Sequence, residues 1–104
     1  MSAFDEIAKS DYARRKKEFK IKSGEKEFTF FANELTYAQR VRISVLENQG
    51  LDSYIPLIVF SITDQDGNAM TTDQANRLSE EHFNEFLINA TNVNIAEKVD
   101  TEKN

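Results

Sequence analysis

Residues 18–31 read Glu18-Phe19-Lys20-Ile21-Lys22-Ser23-Gly24-Glu25-Lys26-Glu27-Phe28-Thr29-Phe30-Phe31, two short alternating runs on either side of a glycine. Phe19 and Ile21 alternate with Lys20 and Lys22, and Phe28 and Phe30 flank Thr29. A period of two belongs to a strand, because successive side chains point to opposite faces. Gly24 can take the positive φ that a tight turn demands, so the stretch predicts a β-hairpin. A lone two-stranded ribbon is marginal in water, so its Phe face must pack on the rest of the chain. Phe31, next to Phe30, puts an apolar residue on each face of the second strand. Either both faces are covered or one is left for a partner.

Downstream the period becomes helical. Thr36 with Gln39 three residues on forms a capping box, opening a helix that closes near Gly50. Tyr37, Val41 and Val45, flanked by Ala38 and by Ile43 or Leu46, form its apolar stripe. Residues 52–63 open on Asp52-Ser53 with Pro56 early, which suits the first turn of a second helix. Ile55, Ile58, Val59 and Ile62 would line one face of this central core element; its β-branched content leaves a buried strand as the competing reading. Asp64-Gln65-Asp66-Gly67-Asn68 is a turn by its Asp and Gly chemistry. Thr72, Gln74, Ala75 and Leu78 predict a short helix. Ser79 caps a last one, with Glu80 and Glu81 in its positive first turn and Phe83, Phe86, Leu87, Ala90 and Val93 at helical spacing.

The expected fold is α+β and mainly helical, an N-terminal β-hairpin followed by three or four helices. Residues 18–95 form the single globular domain, residues 1–17 a flexible N-terminal arm and residues 96–104 a disordered tail. A chain of 104 residues supports one core, and eight Phe and three Tyr supply its large apolar surfaces. In the arm, Phe4, Ile7 and Ala8 match one short helical turn, too little to stand alone in water, so the arm is expected to be frayed or ordered by a partner.

Charge is unevenly placed. Residues 1–27 carry eight Lys/Arg and six Asp/Glu, a balance of +2, and the remaining residues five and twelve, a balance of −7. Arg14-Arg15-Lys16-Lys17 is the basic cluster, with Tyr12 and Phe19 near it. Against an acidic body it reads first as a solvated arm and second as a nucleic-acid contact. The absence of Cys excludes disulfides, thiolate metal sites and cysteine nucleophiles, and fits a reducing compartment. No apolar run reaches the length of a membrane span, and the first residues do not match a signal peptide.

Catalytic and cofactor chemistry finds no footing. His82 is the only histidine, with Glu85 as its one companion on the same helical face; a surface histidine is the simpler reading. A calcium loop counted from Asp64 would put Ala69 where Gly is required and Ala75 where Glu is required. The three glycines are isolated, so no phosphate loop is built, and no Asp-His-Ser arrangement occurs. No cofactor and no metal are expected. The reading is a non-enzymatic, protein-binding domain.

The segment from Leu57 to Val93 supports a more specific comparison. An apolar helix runs into Ile62-Thr63-Asp64-Gln65-Asp66-Gly67-Asn68, then come Met70-Thr71-Thr72-Asp73, a short helix with Leu78, and an acidic helix with Phe83, Phe86, Leu87 and Asn92-Val93-Asn94. This resembles the tail assembly chaperones of long-tailed bacteriophages, and the hairpin followed by Leu35-Thr36 is similar to their N-terminal half. The resemblance is one of pattern and covers residues 18–95.

It implies an assembly factor of the host cytoplasm, absent from the mature virion, that binds the tape measure protein, helps recruit tail tube protein and self-associates. It also implies a longer form made by frameshifting. Phe28, Phe30, Phe31 and Tyr54 are the candidate partner contacts, with core packing as the alternative role for at least half of them. Two other readings stay open: a nucleic-acid-binding regulator using the basic arm, and a structural virion component.

Overall fold

The structure, a computed structural model, describes residues 2–9 and 14–103, with the side chains of residues 2–8 and 14–94. Met1 and residues 10–13 of the 1–17 arm, and Asn104 of the 96–104 tail, lie outside the described residues. Elements follow in the order α1 (Ala3–Lys9), β1 (Lys16–Ser23), β2 (Lys26–Asn33), α2 (Tyr37–Asn48), α3 (Tyr54–Ser61), β3 (Ile62–Asp64), α4 (Thr72–Asn76) and α5 (Glu80–Lys103). The fold is α+β, an antiparallel sheet of order β1-β2-β3 followed and covered by helices.

The hairpin forms in the register the alternation predicts. Phe19 faces Phe30 and Ile21 faces Phe28, and the ladder closes at Ser23 and Lys26 across the two-residue turn Gly24-Glu25. Gly24 has φ +66 and, among the described residues, no non-glycine has positive φ, which fits a type II′ turn with glycine first. The strand begins at Lys16, so the last two residues of the predicted arm belong to the sheet.

β3 is an element that the periodicity did not reveal. Ile62, placed by its spacing on a helix face, leaves the helix with φ −95 and ψ 129 and pairs with Ala32 instead. Three residues are too few to show a period of two, and a preceding helix of continuous apolar character masks the change. The helical reading of the stretch before it holds: Asp52 accepts hydrogen bonds from the backbone N–H groups of Tyr54 and Ile55 at 3.1 and 3.3 Å. Pro56 sits in the first turn of α3, where its missing N–H leaves no helical bond unmade.

One face of the sheet carries the core. Ile21, Ala32 and Ile62 pack with Ile58 of α3 and with Phe86, Ala90 and Val93 of α5. Phe86 meets Phe30 edge-on at 4.9 Å and Phe19 at 5.9 Å between ring centroids, a favoured aromatic geometry. The opposite face presents the exposed side chains of Lys16, Glu18, Lys20, Lys22 and Glu27 to solvent. Asn33 closes the corner, its amide donating to the Ser61 carbonyl and the Thr63 hydroxyl at 2.9 and 3.1 Å.

α2 follows from Thr36, which accepts from the Gln39 N–H while Gln39 accepts from the Thr36 N–H. It ends in a Schellman arrangement: Gly50, at φ +71, donates to the Glu47 carbonyl and Leu51 to that of Leu46. The face it turns inward corrects the sequence expectation. Ile43 is buried, whereas Tyr37, Val41 and Val45 are 83%, 43% and 44% exposed. The backbone of α5 continues through residues 96–103, the segment read from composition as a tail.

Candidate protein-binding surface

The candidate contact side chains are placed by the join of β2, β3 and α4. β2 delivers Phe30 to the inner face of the sheet, and Phe28 lies two residues further toward the hairpin turn on that face, 47% exposed. The turn after β3 brings Met70 back toward it, and α4 ends so that Leu78 closes the far side. Phe30, Ile62, Met70 and Leu78 line the apolar part of an open cavity of about 300 Å³. A second hollow of about 190 Å³, between Phe28 and Asp66, shares Phe30 and Asp64 with the first, so the two are halves of one trough.

Its rim is acidic. Asp64 and Asp66 stand along the hollow beside Phe28. Asp64 is fixed by the turn it organises: one carboxylate oxygen accepts from the Asp66 and Asn68 N–H groups, both at 2.9 Å, and the other from the Asn68 amide at 3.3 Å. Its carboxyl is held below the usual carboxylate range, first by the Asn68 backbone N–H and further by the Asn68 amide and the N–H groups of Asp66 and Gly67; burial acts in the opposite direction. The residues screened as a calcium loop therefore build a turn through their own backbone. α4 starts at the predicted Thr72, with Thr71 as its N-cap and Gln74 completing a capping box.

The four predicted contacts do not share one face. Phe28 and Phe30 line the trough, but Phe30 is also part of the aromatic core with Phe19 and Phe86. Phe31 points to the other face of the sheet, half-buried beneath Lys16, whose ammonium lies 4.7 Å from the ring centroid. Tyr54 stands exposed on the first turn of α3.

No family model, curated protein or solved structure matches this chain. What the surface can do is therefore argued from its chemistry. An apolar floor with carboxylates along one side accepts an apolar side chain on an element that carries Lys or Arg beside it. In the basic stretch Lys16 covers Phe31, and the Arg15 backbone carbonyl accepts from the Glu34 N–H at 2.8 Å; further along β1, Lys20 pairs with Glu27 at 3.8 Å. Among the described residues, no group of three or more His, Asp or Glu side chains could hold a metal ion, and no helix is long and apolar enough to cross a membrane. Sequence reasoning missed Met70 and Leu78 as trough residues, because their meeting with Phe30 depends on the β2–β3 pairing.

Proposed function

We propose that this chain is a tail assembly chaperone of a long-tailed bacteriophage, a non-enzymatic factor of the host cytoplasm that is left out of the mature virion. It binds the tape measure protein, helps bring tail tube protein to it, and self-associates. The observation that carries the reading is the trough between Phe28 and Leu78, apolar along its floor and acidic along its rim. A tape measure protein before enclosure is a long helical chain with apolar faces open to water. A chaperone for it needs grooves that take single apolar side chains of a helix without a deep, slow-release interface, and a negative charge that keeps the complex in solution. The pattern of residues 57–93 supplies the link to this class of assembly factor.

Coexpression with the tape measure protein from the same source tests the reading. The two proteins are expected to copurify at moderate salt, and Phe28→Asp or Met70→Asp is expected to abolish capture while far-UV circular dichroism stays unchanged. Wild-type chain that captures no tape measure protein overturns the function. Capture that survives both substitutions moves the site away from the trough.

A further inference from the structure

Two apolar surfaces of this chain are unpartnered, and they match. On α2, Tyr37, Val41 and Val45 recur at intervals of four and make one exposed stripe running the length of the helix. Exposed Arg42 stands to one side of Val41 and Arg40, which also reaches Glu34 at 4.0 Å, to the other. On α1, Phe4 and Ile7 lie one turn apart and are 85% and 65% exposed, with Asp5 and Glu6 beside them. Ser2 caps this helix, accepting from the Asp5 N–H at 3.2 Å and donating to its carboxylate at 3.1 Å. Capping alone does not hold seven residues helical in water; such a helix persists when its apolar side is covered.

The topology anchors both surfaces at the same end of the sheet. Lys16 pairs with Asn33, and the Glu34 N–H donates to Arg15, so the N-terminal arm leaves the sheet beside the residues that lead into α2. From Lys9 to Arg15 the chain reaches at most on the order of 20 Å. Within one chain α1 leaves the stripe uncovered, so the occupant comes from outside.

We infer that the Tyr37, Val41 and Val45 face of α2 is the docking site for α1 of a second copy of this chain, giving a twofold pair joined by two exchanged N-terminal helices. Phe4 and Ile7 of one copy lie along the stripe of the other, and Asp5 and Glu6 meet the arginine side of α2. The twofold makes every contact twice, so two small helix contacts act at high effective concentration. The trough is lined by β2, β3 and α4 and stays open in this pair. The inference gives a surface to the self-association in the proposed function and does not rest on the tape measure reading.

Light scattering after size exclusion tests it on the full chain across a range of concentrations. A dimer is expected that dissociates on dilution. Phe4→Asp and Val41→Asp are each expected to weaken it at least tenfold, both positions being exposed in the monomer. Mixing the two variants recovers part of the affinity, because one of the two contacts then joins an intact α1 to an intact α2. Glu6→Lys weakens the pair, and adding Arg42→Glu recovers part of the loss. A chain monomeric throughout, a dimer indifferent to both substitutions, or mixed variants that associate no better than either variant alone would each overturn the inference. Capture of the tape measure protein is read separately, so either idea can fail alone.

Discussion

α5 and α2 are both helices whose apolar residues recur at helical spacing, and the fold uses them in opposite ways. α5 lies across the apolar face of the sheet, and its stripe of Phe86, Ala90 and Val93 disappears into the core. α2 is tied on at its start, where the Leu35 N–H donates to the Asn94 side chain at 3.2 Å, and buries Ile43 while Tyr37, Val41 and Val45 stay outside. A stripe therefore reports that a helix has something to cover. It does not report whether the cover comes from the same chain.

The contrast predicts a steep gradient of mutational effects. Phe86→Ala removes the ring shared by Phe19 and Phe30 and is expected to cost about 3–5 kcal/mol in urea unfolding, a large part of the stability of so small a domain. A loss under ~1 kcal/mol would mean that α5 is not the cover of the sheet. Thr36→Ala removes one side of the capping box and should cost about 1 kcal/mol. Hydrogen exchange sharpens this, since added exchange confined to α2 would show that it opens independently of α5.

Asp64 contributes a smaller, pH-dependent effect. Its folded pKa lies below its unfolded value of about 4, so the unfolded state takes up the proton first as pH falls. Its contribution is complete above the unfolded pKa and is lost as pH drops through the folded one. Thermal melts between about pH 5 and pH 2 should lose part of their acid slope in Asp64→Asn, and an unchanged slope would remove the turn from the account. At the bottom of the scale, Val41→Ser should alter the unfolding free energy of the monomer by no more than about 1 kcal/mol, because Val41 is 43% exposed and lies outside the core cluster. A larger loss would break the comparison by making α2 a core helix after all.

Much of this was legible in residue order. The hairpin, the Thr36 and Ser79 caps, the Asp64 to Asn68 turn and the buried series of α5 each rest on interactions among residues close in sequence, and each formed where the pattern put it. β3 escaped because its reason for being a strand is β2, roughly thirty residues earlier. The trough escaped for the same reason: Phe28 and Phe30 were legible as apolar strand residues, but Met70 and Leu78 become neighbours of Phe30 only once β3 has paired and α4 has turned back.

The sequence by itself determined the local structure of this protein: which segments are helix or hairpin, where most of them begin and end, and that the chain carries more apolar surface than a hairpin can use. Only the tertiary structure decided the allocation of that surface, sending Phe30 and Phe86 into the core, Phe31 under a lysine, and Tyr37, Val41 and Val45 outward. The physical reason is range. Caps and turns are decided by hydrogen bonds within about four residues, whereas burial is decided by which distant surface arrives to exclude the water.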